Sequence, residues 1–523
     1  MSNLKKWHGV INMEFHLLEN FSDVQNDSLE DGYYLINTGW DDWFTYSTSY
    51  ALWIRFNNST KYIGTTKIGS FNMKPGQRSP DIPEKFSSLD KTFFSLGNDE
   101  AYYVELNSQG ISTYRETILD KLKDIAFDES LYEKAKQTNV FNTSLTRDIL
   151  PKTIKGRFRR LAKGNVKLSN YHFSYKINNN GGVLDFKVNH DILPSSNIHT
   201  IIGRNGVGKS HILNKMINSI LNNGNDFNFD TSYEDNFFSN ILSVNFSTFE
   251  NKEIFENNTD KAKGHKYYHL SSRSESKETF EYHNSKMEEI IVDGMDALFI
   301  ESLKACFSKK PKRWRECIEI LYSDPIFKSL NIIDLYSNYL YDNDFLRVTH
   351  NLFNKLSSGH KIVILTLTKL VELSEEKTLI IMDEPEMHLH PPLLGSFIRS
   401  LSYLLNNVNG VAILATHSPI ILQETPINCV YKLSRDGDFH QAERPSIETF
   451  GENIGILTSE VFGLEVTDSG FHTVINKVVT LDLDVDQSRE ILHNHIGSEA
   501  NNILTTKIYN RDNGNSNEVQ VDE

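Results

Sequence analysis

Three cysteines in 523 residues are too few for a disulfide framework. Cys306, Cys317 and Cys429 form no C-x-x-C pair, which argues against a zinc site. No apolar run approaches the roughly 18 residues of a membrane span. The start Met1-Ser-Asn-Leu-Lys-Lys6 also lacks the apolar stretch of a secretory signal. These absences predict a cytoplasmic protein with no membrane partner. Positive charge is short as well: 54 Lys and Arg against 69 Asp and Glu leave a formal net charge of −15. That excludes coating of nucleic acid by the whole surface, although a local basic groove stays open. No internal repeat is visible. What is present, 39% hydrophobic and 24% charged residues, is the composition of a globular chain. Its length suffices for roughly two to four domains.

Residues 1–165 differ from the rest. Trp7, Trp40, Trp43 and Trp53 fall there, among aromatic and β-branched segments such as Tyr33-Tyr-Leu-Ile-Asn37 and Ala101-Tyr-Tyr-Val-Glu-Leu106. Partial alternation, punctuated by Gly and Asn-Asn turns, predicts a small β-rich domain. Apolar residues at Ile118, Leu119, Leu122 and Ile125 predict a helix over 115–136. Trp40-Asp-Asp-Trp-Phe44 reads as a turn anchoring its own small core, with a binding face as the alternative. Lys152, Lys155, Arg157, Arg159, Arg160 and Lys163 read as a solvated basic linker, with phosphate-backbone contact as the alternative. A hairpin is predicted over 171–188 around Asn178-Asn-Asn-Gly-Gly182, and a buried strand over 237–246. Residues 255–350 are mostly helical in pattern. Within them, Lys309-Lys-Pro-Lys-Arg-Trp-Arg315 reads as a solvated helix start with Pro311 in the first turn. An acidic or nucleic-acid partner is its second reading.

The chain is organised around Gly203-Arg-Asn-Gly-Val-Gly-Lys209-Ser210. An apolar strand, Ile198 to Ile202, precedes it and a helical pattern follows, the context a G-x-x-x-x-G-K-[ST] loop requires. Its glycines let backbone N–H groups turn inward around phosphate oxygens, and the helix N-terminus adds its positive end. Lys209 is placed to reach the β- and γ-phosphates, and Ser210 to ligate Mg²⁺. Farther on, Lys377-Thr-Leu-Ile-Ile-Met-Asp383-Glu384-Pro385 is an apolar strand ending in two acids. Asp383, expected beside the phosphate loop, suits the metal, and Glu384 suits orientation and deprotonation of the attacking water. Another strand, Gly410 to Thr416, presents His417 at its end, where an imidazole can meet a γ-phosphate. Between loop and acids lies Lys355-Leu-Ser357-Ser358-Gly359-His360-Lys361, a Ser-rich helix N-terminus suited to an anion.

With these four motifs in order, residues 166 to about 430 resemble the ABC-type ATPases, in their soluble SMC- and OLD-like branch. The fold this implies is α/β: an ATPase head over 166–505 with a helical insertion at about 255–350. A β-rich N-terminal domain precedes it over 1–165, and a polar, disordered tail follows over 506–523. The resemblance further implies ATP and Mg²⁺ as cofactors and a head-to-tail dimer with two ATP molecules between the subunits. Gly203, Asn205, Gly206, Gly208, Lys209, Ser210 and His211 of one subunit and Ser357, Ser358 and Gly359 of the other would then hold the nucleotide. Ser210 and Asp383 would hold the metal, and Glu384 and His417 would serve catalysis.

The continuation Glu384-Pro-Glu-Met-His388-Leu-His390-Pro391 resembles a subgroup common in bacterial anti-phage defence operons. That subgroup includes the ATPase subunits of Septu (PtuA-like), retron-associated and PARIS-type systems. Thr449-Phe-Gly-Glu-Asn-Ile-Gly455 and Glu460-Val-Phe-Gly-Leu464 are similar to it as well. The resemblance implies a regulatory ATPase gating a separate effector, a nuclease. Two departures point to slow or partner-dependent hydrolysis. No glutamine occurs between Ser210 and His360, so Ser247 or Glu250 stands in for the expected one, and His360 occupies a position where glutamine is usual.

A built-in nuclease is not expected. Leu481-Asp-Leu-Asp-Val-Asp486 reads as a solvated helix start, and His493-Asn-His495 as a coincidence on a helix. Three other functions compete: a DNA-repair-like SMC-type motor acting directly on DNA, a transporter's nucleotide-binding subunit, and an ATP-binding scaffold without turnover. The helical insertion, the extra N-terminal domain and the missing glutamine count against the transporter. Salt-dependent DNA binding marks the motor.

Overall fold

The computed structural model describes residues 14–19, 29–39, 45–57, 59–74, 76–108, 110–147, 149–164, 168, 170–177, 182–222, 224–229, 237–245, 255, 257–258, 265–271, 278–280, 290–292, 294–341, 345–436, 439–463 and 470–513. Trp7, the 40–44 cluster, Asn178 to Gly181, Ser247 and Glu250 lie outside them.

The aromatic N-terminal segments form a six-stranded sheet. Its strands are β1 (Phe15–Leu18), β2 (Gly32–Asn37), β3 (Ser49–Phe56), β4 (Ser59–Ser70), β5 (Lys85–Phe86) and β6 (Phe93–Gly97), in the order β5-β1-β2-β3-β4-β6. Only β1 and β2 run parallel in it. Alternate residues such as Tyr33, Leu35, Leu52 and Ile54 bury against helices carrying Tyr102, Tyr103, Ile118 and Leu119. The helix expected over 115–136 is in fact two, Arg115–Lys121 and Glu129–Ala135. Lys123 sits at φ 58° between them, and the buried Asp124 accepts from the Ala126 and Phe127 N–H groups and from the Tyr103 hydroxyl. Those bonds favour a turn over continued helix, and Asp128 then caps the second helix.

The hairpin of β7 (Tyr171–Lys176) and β8 (Val183–Val188) pairs antiparallel as expected. β10 (Phe227–Phe229) joins it beyond β9 (Ile198–Ile202) in the chain. The strand expected over 237–246 is β11 (Asn240–Asn245). Residues 255–350 are less uniformly helical than their pattern suggests. β12 (Lys266–Ser271) pairs with β11, a small ladder joins β13 (Glu278–Phe280) to β14 (Ile290–Val292), and among the described residues of this span the first helix begins at Gly294. The remaining strands are β15 (Leu379–Asp383), β16 (Val411–Thr416), β17 (Val430–Asp436) and β18 (Phe439–Glu443).

Seven strands form the central sheet in the order β12-β11-β15-β16-β9-β17-β18, parallel except for the last pair. Side-chain alternation along β15 separates its two faces. Leu379 and Ile381 pack with Ile212, Leu213 and Met216 of the helix Lys209–Leu221. Ile380 and Met382 pack on the other face with Val363, Ile364 and Leu367 of the helix Ser358–Leu373.

At the amino ends of these strands the basic stretch 152–163 is not a solvated linker. It is helical, and Lys152, Arg157, Arg159 and Arg160 are engaged by other parts of the chain, whereas Lys155 and Lys163 are exposed. Arg160 pairs bidentately with the buried Glu376, and Arg157 bonds Glu100 at 2.9 Å and Asn407 at 3.2 Å. The second basic patch does begin a helix with Pro311 in its first turn, but it too is partly buried. Arg313 pairs with Glu100. Lys310 Nζ donates to the carbonyls of Val371, Glu372 and Ser374 at 3.1, 2.6 and 2.9 Å. Those are the carbonyls at the negative end of the helix Ser358–Leu373, where a cation is favoured. A cavity of about 250 Å³ lies at this junction, bordered by Asp99, Lys309 and Glu372.

The C-terminal region departs from expectation twice. The helix Ser498–Asp512 runs through the start of the stretch read as a polar tail. His493 and Asn494 adopt φ of 51° and 57° in a turn rather than a helix. The acidic run behaves as read: Asp484 caps the helix Val485–Ile491 in a capping box with Gln487.

Candidate functional site

The phosphate-loop sequence leaves β9 and turns through Gly206 at φ 80° and Gly208 at φ 99°, backbone that residues with a Cβ rarely adopt. The helix Lys209–Leu221 starts at once. Asn205, Gly206 and His211 are exposed and Ser210 is half-buried, so the loop and the helix start face solvent. Lys209 is 6% exposed and folds back onto its own loop, donating to the Gly203 carbonyl at 2.8 Å and the Arg204 carbonyl at 3.0 Å. Burial lowers its pKa, while the carboxylates of Glu384, Asp383 and Glu386 act the other way. A group held by weak carbonyl acceptors near three acids is poised to exchange them for phosphate.

The acids come from β15. β16 lies between β15 and β9, and Asp383 at the end of β15 is still near enough for its charge to act on Lys209 of the phosphate loop. Asp383 ends β15 and is 9% exposed. Glu384 follows at φ 49°, a left-handed conformation that turns its carboxylate off the strand line, and its N–H donates to Ala415 O at 2.9 Å. The intervening strand delivers His417, 41% exposed, with Nδ1 3.8 Å from Glu384 and 3.2 Å from Glu386. Phosphate loop, acids and imidazole therefore all emerge at the carboxyl ends of neighbouring parallel strands, where ligands of open α/β sheets bind.

Two residues the sequence reading passed over belong to this end. Glu386 was quoted only as part of a motif. Its Oε1 accepts from the Thr416 hydroxyl at 2.6 Å and the His417 N–H at 2.9 Å, which fixes the turn that presents His417. Its spacing, two residues after Glu384, was the available signal. His440 on β18 gave none. A Cβ at Gly208 would lie 2.7 Å from its Nε2, and neither ring nitrogen has a hydrogen-bond partner among the described residues.

The serine-rich motif stands elsewhere. Ser357 is the N-cap residue of the helix Ser358–Leu373, with no side-chain capping bond; its Oγ instead meets His360 Nδ1 at 2.6 Å. Ser357 and Ser358 are exposed. Gly359 is buried, and a Cβ there would fall 2.6 Å from the His388 carbonyl, so the loop after Glu384 leaves room for glycine alone. Because this helix and the phosphate-loop helix cover opposite faces of the sheet, the serines and Lys209 belong to different faces of one chain.

A family model described as "AAA domain, putative AbiEii toxin, Type IV TA system" matches residues 350–423, the span from the serine motif past His417. Protein ea59 of Escherichia phage lambda is 35% identical over 505 residues, covering 91% of this chain and 94% of that protein. Septu protein PtuA of Bacillus thuringiensis is 25% identical over 155 residues, 26% of this chain and 38% of that one. Among solved structures, a nucleotide-free ATP-binding cassette from an ABC transporter aligns over 58% of this chain and all of its own, at 18% identity and a TM-score of 0.26. No helix among the described residues is long and apolar enough to cross a membrane.

Proposed function

We propose that this chain, which belongs to the family of phage lambda protein ea59 and carries an ABC-type ATPase head, is the ATP-hydrolysing regulatory subunit of an anti-phage defence complex. ATP and Mg²⁺ bind at the carboxyl ends of β9, β15 and β16. Lys209 and the loop N–H groups hold the phosphates, Ser210 and Asp383 the metal. Glu384 takes the proton of the attacking water, and His417, set by Glu386, faces the γ-phosphate. Gly203, Asn205, Gly206, Gly208 and His211 line the nucleotide. The reading divides the chain near residue 165 into an N-terminal unit and the ATPase head.

One observation carries the dimer. The phosphate-loop helix and the helix behind Ser357 lie on opposite faces of the central sheet. In this reading Ser357, Ser358 and Gly359 close the nucleotide of a second copy, presented head-to-tail. ATP then joins two heads and hydrolysis releases them, a binding-driven switch that gates a separate nuclease. Likeness to the Septu protein PtuA supports the defence role. Direct action on DNA draws less support from the basic stretches than their sequence suggests, since Arg157, Arg160, Lys310 and Arg313 are already engaged by this chain's own groups.

The test is the mass of Glu384→Gln in solution with and without ATP and Mg²⁺, beside turnover by the unaltered chain. Expected are a dimer that persists with ATP in the variant and slow hydrolysis by the unaltered chain. A mass indifferent to ATP, with no turnover above that of Glu384→Gln, overturns the reading. Co-purification with neighbouring gene products, ATP and Mg²⁺ present, then tests the nuclease partner.

A further inference from the structure

Three segments far apart in the sequence meet beside the serine motif. Asp324 is the N-cap residue of the helix Pro325–Leu330 in the helical insertion. His360 is in the first turn of the helix Ser358–Leu373, and His390 is the N-cap residue of the helix Pro391–Val408. His360 Nε2 lies 3.2 Å from Asp324 Oδ1, and His390 Nε2 lies 3.6 Å from Asp324 Oδ2. One ligand atom from each residue falls within 4.8 Å of the others. In a tetrahedral zinc site with ligands at about 2.0–2.1 Å, neighbouring ligand atoms stand about 3.4 Å apart. The two histidines approach different oxygens of Asp324, each near that spacing, and the set of one atom per residue stays within 4.8 Å. Side chains of Asp324 and His360 are each 4% exposed, whereas His390 is 51% exposed. The site thus has a buried wall, one ligand free to swing in and an open side for water.

We propose that Asp324, His360 and His390 bind a Zn²⁺ ion that sets the hydrogen-bonding direction of Ser357. Without metal, His360 carries its proton on Nε2 and donates it to the Asp324 carboxylate at 3.2 Å, while His390 Nε2 stands 3.6 Å from the same group and accepts the Leu393 N–H on Nδ1. His360 Nδ1 is then an acceptor, and the Ser357 hydroxyl spends its proton on it across 2.6 Å. Zn²⁺ replaces both Nε2 protons. The proton of His360 moves to Nδ1, which now donates to Ser357 Oγ, the bond that orients a metal-bound imidazole. The serine hydroxyl is released to donate elsewhere. The same tautomer change at His390 gives up its 3.4 Å cap from the Leu393 N–H, a long bond at an exposed helix start. Asp324 stays oriented by the Ile326 and Phe327 N–H groups at 2.8 and 3.2 Å. The lack of paired cysteines excludes a cysteine-built zinc site, not this one. That the released proton meets a γ-phosphate rests on the dimer reading above; the metal site does not.

The experiment strips the full chain with a chelator and titrates Co²⁺, reading the visible absorption of the bound ion and its displacement by Zn²⁺. Expected is one ion per chain, with binding weakened by about a hundredfold in His360→Gln and in His390→Ala. His388→Asn, at an exposed neighbouring histidine, retains it. Thermal melts show whether each variant is folded; an aspartate and two histidines that serve only packing lose stability in these variants without any metal-dependent signal in the parent. No Co²⁺ band, or equal binding by all variants, overturns the site. The mass of Glu384→Gln with ATP is then compared with and without Zn²⁺. A Zn²⁺-favoured dimer supports the coupling to Ser357. Equal dimer in both ends the coupling and leaves the dimer standing, and no dimer in either ends the dimer reading alone.

Discussion

The two ends of the central sheet use the same kinds of residue for opposite purposes. At the carboxyl ends, Lys209 rests on two carbonyls while Asp383, Glu384 and Glu386 stand close by. Charge there is held near charge, and the lysine rests on exchangeable carbonyls rather than on a carboxylate. At the amino ends, Glu100 is shared by Arg157 and Arg313, Glu376 takes Arg160, and Lys310 caps a helix, so every one of these charges is spent on another group. The first arrangement suits a ligand that arrives and leaves. The second joins the N-terminal sheet to the ATPase head and is costly to disturb.

The widest test of that contrast is Glu100→Ala. Arg157 and Arg313 lose their shared partner in a buried setting, and a loss of about 3–5 kcal/mol in unfolding free energy is expected by denaturant titration. A change below about 1 kcal/mol would show that the junction is solvated and the contrast false. Glu384→Gln probes the other end. A fall of about 10²–10³ in kcat is expected with an unfolding curve close to the parent's. A variant that turns over ATP at the parental rate removes Glu384 from the chemistry.

A smaller effect is expected one step back. Glu386→Gln loosens the turn carrying His417 and lowers kcat by about tenfold to a hundredfold, with KM little changed. If KM rises and kcat holds, Glu386 acts on binding rather than on the placement of His417. The effect that is smallest at neutral pH, and grows only on acidification, comes from the middle of the sheet. Burial, with Arg444 behind it, lowers the pKa of His199 to about 3, so the folded state keeps it neutral where the unfolded chain takes up a proton. Its contribution is therefore fully present above its ordinary pKa of about 6.5 and lost as pH falls below that, by about 1.4 kcal/mol per unit. Asp124, raised to about 6 by burial, works in the opposite sense as the pH falls further. The slope of stability with pH in the parent minus that in His199→Leu isolates the histidine. Identical slopes show that His199 titrates normally.

Motif and order sufficed for the α/β class, the phosphate loop, the acidic strand end and the strand presenting His417, because each of these depends on residues adjacent in the chain. A Gly-rich loop between strand and helix, or an acid at the end of an apolar run, carries its context within a dozen or so residues. Partnership across the fold was not legible. The basic stretches looked solvated because their carboxylates and carbonyls come from Glu100, Glu376 and the end of a remote helix. The helix over 115–136 broke because Asp124 found Tyr103 and two nearby N–H groups. Glu386, His440 and the meeting of Asp324 with His360 and His390 are likewise products of tertiary contact. The sequence by itself determined which local elements form and what chemistry their ends can offer. Only the tertiary structure decided which charges are neutralised, which stay available and which face of the sheet each motif takes, because solvation and pairing depend on distances the linear order does not contain.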